Sequence, residues 1–294
     1  MPKRKSEIHM HSTFSDGEFS PVQLVNIARE NDVTLLSLTD HDTFDGVPEF
    51  IQSAETAGIE AFPGIEITVK FHDFNIHVLA YFKNYESIDE ELLQKVKEMT
   101  ETRERRMVEL IKRIDGVIPE KFRGLIEFDN VKRAAEGVLA RPHLAREMVR
   151  LGIVSNTSQA FERYLVKYNV QRENLDAATA ISLIRKSNGV PVMAHPGERS
   201  YSLICPEKGR KKENAPKLLE ELTEMGLLGL ECHYPYQERM GTVPFFVELA
   251  NRFGLIITGS RDFHGYYNNQ QTNMFGTTNI EPVFLEQFQA VWNN

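Results

Sequence analysis

The sequence predicts an α/β fold, a barrel or an open sheet, interrupted by a helical insertion. Three observations predict it. Short apolar runs alternate with helix-length amphipathic segments over most of the 294 residues. Several of those runs are nearly continuous in Val, Ile and Leu, the pattern of strands buried on both faces. From about Tyr85 to Asn169 the alternation stops and only helical pattern remains. Alternation of strands with helices argues for helices covering a common sheet.

The expected strands are Glu7–Met10, Thr34–Leu38, Ile59–Phe62, Ile76–Phe82, Val190–Ala194, Leu227–Cys232 and Leu255–Thr258. Ser20-Pro21-Val22-Gln23 opens the first helix, with an N-cap serine, a proline at the first helical position and a capping-box Gln. That helix is expected to reach about Asn31, and others to cover Asp45–Ala57, Asp176–Ser187, Ala215–Met225 and Val243–Phe253. In the insertion, Ser87-Ile88-Asp89-Glu90 reads as a second capping box. Leu92, Val96, Met99, Leu110, Ile111 and Ile114 then mark one apolar face before Gly116. Helical pattern resumes at Arg141–Val149 and Gln159–Val166. The expected organisation is an α/β catalytic domain, residues 1–84 and 170–294, with a helical subdomain at 85–169 that contributes substrate contacts.

Composition narrows the functional classes. Hydrophobic residues make up 41% and charged residues 26%, so a core of ordinary size can form without staples. Cys205 and Cys232 have no CxxC spacing and read as reduced thiols, which points to the cytoplasm. No apolar run approaches the roughly 18 residues of a membrane span, and no apolar segment follows the basic start as a signal peptide requires. A net charge of −8 argues against long duplex nucleic acid as a partner. It leaves room for a small phosphorylated substrate, because bound metals reverse the local sign.

The informative feature is where the polar residues fall. His9 and His11 close the first strand, with Asp16 shortly after. Asp40 and His41 close the second, Glu66 follows the third, and His77 lies in the fourth. His195 ends the fifth, and Asp262 with His264 follows the last. Alternation places His9 and His11 on one side of a strand, as two ligands of one ion require. Each position alone has an ordinary structural explanation. Their recurrence at strand ends, where barrel enzymes assemble their sites, points to metal binding. Histidines with carboxylates suit Zn²⁺, Mn²⁺ or Fe²⁺ and not an all-oxygen Ca²⁺ site. Six imidazoles plus Asp16, Glu66 and Asp262 are too many for one open ion and enough for two or three.

In order along the chain, His9-x-His11, Asp16-Gly17, Thr39-Asp40-His41-Asp42, Gly64-x-Glu66, His77, Ala194-His195-Pro196-Gly197 and Asp262-Phe263-His264-Gly265 resemble the motifs of the PHP (polymerase and histidinol phosphatase) family. The likeness is strongest to stand-alone bacterial members that carry a helical insertion and act on nucleotides. It implies a distorted seven-stranded barrel and a trinuclear site. His9, His11, Glu66 and Asp262 would surround one ion, Glu66, His77 and His195 a second, and Asp16, His41 and His264 a third. It also implies nucleoside 3′,5′-bisphosphates or the 5′ ends of short oligonucleotides as substrates. Phosphate contacts would come from Arg141 and His143 in Ala140-Arg141-Pro142-His143, with Arg199 a further candidate. Where the family usually reads Gly-Gly-Ser-Asp, this chain has Gly259-Ser260-Arg261-Asp262. Two roles stay open for Arg261, binding phosphate or pairing with a nearby acid.

The chemistry expected is phosphate-ester hydrolysis by water activated between the ions. Arg141 would neutralise charge on the phosphoryl oxygens, and Asp40 would orient a ligand histidine or cap its strand end. The alternatives are a histidinol-phosphate phosphatase, an amidohydrolase (a class that also opens with His-x-His but bridges its metals with a modified lysine) and a non-catalytic metal-binding module. The basic run Lys208–Lys212, together with His72, His233, Tyr234, Tyr236, Tyr266 and Tyr267, is expected on surface loops.

Overall fold

The computed structural model describes residues 5–133, 135, 137–170, 174–197, 201–266, 275–278 and 282–294. No helix among them is long and apolar enough to cross a membrane. β1 (Lys5–Glu7), β2 (Val33–Leu36) and β3 (Glu60–Ala61) form a parallel sheet in that order. β4 (Gly64–Phe71), β5 (Phe74–Tyr81), β6 (Leu175–Asp176), β7 (Val190–Met193), β8 (Gly229–His233) and β9 (Ile256–Gly259) form a second sheet. Its spatial order is β6-β4-β5-β7-β8-β9. β5 runs antiparallel to both neighbours, and the other pairs are parallel.

The strands therefore pair as sheets of three and six and not as one continuous seven-stranded ladder. Isolated bridges, Met10 with Phe263 and His41 with Glu66, lie between the two sheets. The ladders stop there for a local reason. Asp42 (φ 52°) and Asp262 (φ 51°) adopt left-handed backbone, which cannot continue a strand.

Strand β4 is absent from the sequence expectation, which closes its third strand at Phe62. Ile65, Ile67, Val69 and Phe71 enter the main core, while Glu66 and Thr68 are also buried on the opposite face. β5 divides the same way, with Ile76, Val78 and Ala80 on the core side and His77 on the face it shares with Thr68. The period of two thus sends one side of this hairpin to the core and the other to the polar cluster.

The helices are α1 (Pro21–Glu30), α2 (Val47–Ala57), α3 (Glu90–Asp115), α4 (Phe128–Arg133), α5 (Arg141–Arg150), α6 (Thr157–Ala160), α7 (Ala177–Lys186), α8 (Ala215–Glu224), α9 (Pro235–Arg239), α10 (Val243–Phe253) and α11 (Phe284–Trp292). α1 has the expected capping box. Ser20 Oγ accepts from Gln23 N at 3.3 Å, and Gln23 Oε1 accepts from Ser20 N at 2.9 Å. The second expected box does not form. Ser87 lies inside a preceding 3₁₀ turn and donates to Asn84 O, so Asp89 caps α3 by accepting from Glu91 N at 2.9 Å.

α3 spans two cores. Leu92, Val96 and Met99 pack with the α/β sheet, whereas Met107, Leu110, Ile111 and Ile114 pack with Val131, Leu144 and Met148 of the following helices. α11 closes the opposite end of the sheets, where Phe284 and Phe288 meet Ile8, Leu79, Tyr81 and Val192.

Candidate metal centre

Hydrogen bonds between distant segments position the polar cluster. His11 N donates to Phe263 O at 2.8 Å and Phe263 N to His9 O at 3.1 Å, so His9–His11 and Asp262–His264 lie side by side. Glu66 N donates to Asp40 O at 3.2 Å and Asp42 N to Glu66 O at 3.0 Å, which sets His41 beside Glu66. The loop carrying Asp16 folds back under His11. At Gly17 a Cβ would meet His11 O at 2.1 Å, so only glycine permits that approach.

Three groups of donor atoms result, each lying within 4.8 Å of one another. They are His9, His11, Glu66 and Asp262; His41, Glu66 and His77; and His11, Asp16, His41 and His264. Glu66 is fully buried and shared by two of them. Its Oε1 lies 2.9 Å from both His77 Nδ1 and His195 Nε2, and its Oε2 lies 2.8 Å from His41 Nδ1. Asp262 Oδ1 stands 2.9 Å from His11 Nε2 and 3.2 Å from His9 Nε2.

Electrostatics hold the acids ionised. Burial by itself would raise all three carboxyls. The histidines reverse it, with His77, His41 and His9 holding Glu66 well below the usual carboxylate range. His264 and His41 do the same for Asp16, and His9 and His264 for Asp262. Burial, joined by His264 and His41, pushes His11 down to about 3, and burial lowers His77 to about 4. Against burial, Glu231 and Asp262 raise His9, and Asp16 and Asp262 raise His264 to about 10.

The residues fit divalent cations on an observation independent of charge. His9 Nε2, Asp16 Oδ1, His41 Nδ1, Glu66 Oε2 and His195 Nδ1 are buried without a hydrogen-bond partner among the described residues. His41 Nδ1 and Glu66 Oε2 are close without hydrogen-bond geometry. Buried polar atoms left this way are costly unless a ligand satisfies them, and a cation bound by lone pairs does so.

The PHP domain family model matches residues 7–231, a span that holds seven of the nine ligand candidates read from the sequence. The chain belongs to the PHP domain family. It is 35% identical over 257 residues to a 5′-3′ exoribonuclease of Haemophilus influenzae, covering 79% of this chain and 91% of that one. A 3′,5′-nucleoside bisphosphate phosphatase of Chromobacterium violaceum is 25% identical over 263 residues, with 88% and 86% covered. A Bifidobacterium adolescentis structure assigned as a metal-dependent phosphoesterase superposes with a TM-score of 0.81 at 25% identity, covering 99% of this chain and 97% of that one.

In this PHP chain the ligand candidates lie together, and the substrate candidates divide. A cavity of about 970 Å³ is lined by Asp16, His41 and His77 and also by Arg103, Arg106 and Arg141. Arg141 starts α5 and stands over the Phe161 ring, 5.5 Å from its centroid. His143 is buried, and its Nδ1 accepts from Ala140 N at 3.0 Å, so it caps α5; burial lowers it to about 4. Arg261 is buried and forks onto Glu238 at 2.5 and 3.1 Å, with Thr277 O at 2.9 Å, so the nearby-acid alternative describes its side chain. Arg199 and Tyr267 lie outside the described residues.

Asp40 orients no imidazole directly. It accepts from Ser12 N and Oγ at 2.7 and 2.6 Å and from Ser15 Oγ at 2.5 Å, and so pins the loop before Asp16. The acid that touches a cluster imidazole from behind is Glu231, with Oε1 3.0 Å from His9 Nδ1 and Oε2 accepting from His195 N at 2.7 Å. Its signal in the sequence is a lone acid inside the apolar run Leu227–Cys232, which a buried strand tolerates only with partners. Tyr234, expected on a surface loop, is buried and donates to Asp262 Oδ2 at 3.0 Å.

Proposed function

We propose that this chain is a metal-dependent phosphoesterase acting on nucleotides, with nucleoside 3′,5′-bisphosphates or 5′-phosphorylated short oligonucleotides as substrates. One observation carries the reading. Asp16, His41 and His77, members of the donor groups, line a cavity that Arg103, Arg106 and Arg141 also line. Cation-binding side chains that share a cavity with arginines suit a substrate that is anionic where it reacts and along its length. The names of the relatives, an exoribonuclease and a bisphosphate phosphatase, support the same substrate class.

In this reading His9, His11, Glu66 and Asp262 would hold one ion, Glu66, His77 and His195 a second, and Asp16, His41 and His264 a third, with Mn²⁺, Fe²⁺ or Zn²⁺ as candidates. Bound divalent ions supply Lewis-acid activation of water and of the phosphoryl group. The chain's own residues do the rest. Depressed to about 3 and 4, His11 and His77 are neutral near pH 7 and ready as ligands. Arg141 neutralises phosphoryl charge, and the helical segment 85–169 supplies the arginines of that lining. β1, β2, β4, β5, β7, β8 and β9 are read as one distorted ring, with the single bridges at Met10 and His41 as its two seams.

The test is phosphate release from a panel: a nucleoside 3′,5′-bisphosphate, mononucleotides, a short 5′-phosphorylated oligonucleotide and histidinol phosphate, each with Mn²⁺, Fe²⁺ or Zn²⁺. Turnover of the bisphosphate or the oligonucleotide well above the others is expected. Preference for histidinol phosphate, or no release with any metal, would overturn the proposal.

A further inference from the structure

We propose that Glu231 is a positioning residue that couples two of the proposed ion sites, because its single carboxylate fixes the ring of His9 and the backbone of His195 at once. The inference rests on the metal-binding part of the proposed function and not on the identity of the substrate.

The geometry assigns one job to each oxygen. Oε2 accepts the His195 amide at 2.7 Å, just where the chain leaves β7 in a conformation with φ +26°, a backbone region that L residues rarely adopt. Oε1 lies 3.0 Å from His9 Nδ1, and both side chains are buried. An oxygen of a carboxylate can only accept, so His9 must donate from Nδ1. In the neutral ring that choice puts the lone pair on Nε2, the atom that faces Asp262 Oδ1 at 3.2 Å and Glu66 Oε1 at 3.4 Å. Nε2 is also among the buried atoms with no hydrogen-bond partner. The tautomer that Glu231 imposes is therefore the only neutral one in which His9 can bind a cation.

A carboxylate accepts at both contacts, and an amide has only one acceptor to offer. In Glu231→Gln the amide oxygen can accept from His195 N, but its NH₂ then faces His9 Nδ1 and forces the proton onto Nε2. Turned the other way, the NH₂ meets the His195 N–H, two donors facing each other. The isosteric change thus preserves volume and loses one of the two functions. The structure gives Glu231 no direct route to the group built on Asp16, His41 and His264, so that site is expected to be spared.

The experiment is a Mn²⁺ titration of metal-free protein, followed by electron paramagnetic resonance of the free ion, for the wild type, Glu231→Gln, His9→Ala and the double variant. Folding is checked by circular dichroism. The expected result is a folded Glu231→Gln protein in which one class of Mn²⁺ weakens about 10- to 100-fold, the usual effect of losing an outer-shell partner, while at least one other class is unchanged. The double variant is expected to bind like His9→Ala alone, because the two changes act through one ring. Unaltered Mn²⁺ binding in Glu231→Gln, equal weakening of every class, or additive losses in the double variant would overturn the proposal. If Glu231→Gln fails to fold, Glu231→Asp in its place is expected to keep the His195 contact and show the same selective loss; unaltered binding there overturns the proposal as well. A wild type that releases no phosphate but shows this binding pattern would sink the proposed substrate and leave the role of Glu231 standing.

Discussion

Arg103, near the middle of α3, donates from Nε to Asp42 Oδ2 at 2.7 Å and also from Nη2, and both side chains are buried. The pair joins the long helix to the segment that carries His41. Asp42 Oδ1 accepts from Thr68 N at 2.6 Å and its carbonyl oxygen accepts from Thr100 Oγ1 at 3.1 Å, so α3 and β4 converge on one left-handed residue. Removing one member of a buried pair leaves the other charge without compensation, at a cost of about 3–5 kcal/mol. Arg103→Ala is therefore expected to lower the urea midpoint substantially, and Arg103→Ala with Asp42→Asn to recover part of that loss. Equal midpoints for wild type and Arg103→Ala would show that the ion pair contributes nothing to stability.

Glu66 belongs to two donor groups, so its loss is predicted to affect more than one ion. Glu66→Gln keeps the shape of the side chain and removes the charge that His77, His41 and His9 stabilise. Metal content measured by mass spectrometry is expected to fall by more than one equivalent, and phosphate release by at least 100-fold, since outer-shell changes alone cost about 10- to 100-fold. A single-equivalent loss would mean that Glu66 does not bridge.

Much of this centre was legible because its ligands follow strands, and strand ends can be found from runs such as Val190–Ala194. Helices announced themselves where caps and periodicity agreed, as in α1. What escaped depended on long-range pairing. β4 alternates apolar with polar residues, but its polar side is buried and is explained only by the cluster it faces. Glu231 and the Asp42–Arg103 pair are ordinary acids and bases until the fold brings partners from 36 and 61 residues away. Ser87 satisfied a capping motif, but the preceding turn occupied it first.

His143, outside the three donor groups though within reach of the Asp16 charge, gives a pH-dependent prediction. Its folded value of about 4 lies below the ordinary 6.5 because burial disfavours the charged ring. The unfolded chain therefore takes up a proton below about pH 6.5 while the folded one does not. The sign is unfavourable to folding in acid. Stability from this residue is complete above pH 6.5 and declines as the pH falls toward 4, by about 2 kcal/mol on reaching pH 5 at 1.36 kcal/mol per unit. His143→Gln retains a side-chain acceptor for Ala140 N and cannot titrate. Urea unfolding at pH 7 and pH 5 is expected to show a smaller loss for His143→Gln than for the wild type. Parallel losses would mean that His143 is not held neutral.

Arg141 separates a substrate contact from a helix-start arginine. It makes no ion pair among the described residues, it lines the cavity, and its nearest electrostatic company includes Arg106, itself lowered to about 10 by burial and by Arg141. Two guanidinium groups close enough for one to lower the other raise the potential of that lining, and an anion relieves it. Hydrogen bonds to charged groups contribute about 1.5–3 kcal/mol, so Arg141→Ala is expected to raise KM for a nucleotide substrate roughly 10- to 150-fold. Arg141→Lys is expected to recover only part of this, because an ammonium keeps the charge and loses the bidentate fork. Thermal stability serves as the control, since an arginine that only starts α5 would shift Tm and leave KM alone. Steady-state kinetics at two salt concentrations completes the test. The wild-type KM is expected to climb with salt more steeply than that of Arg141→Ala, because the variant has already lost the charge that salt screens.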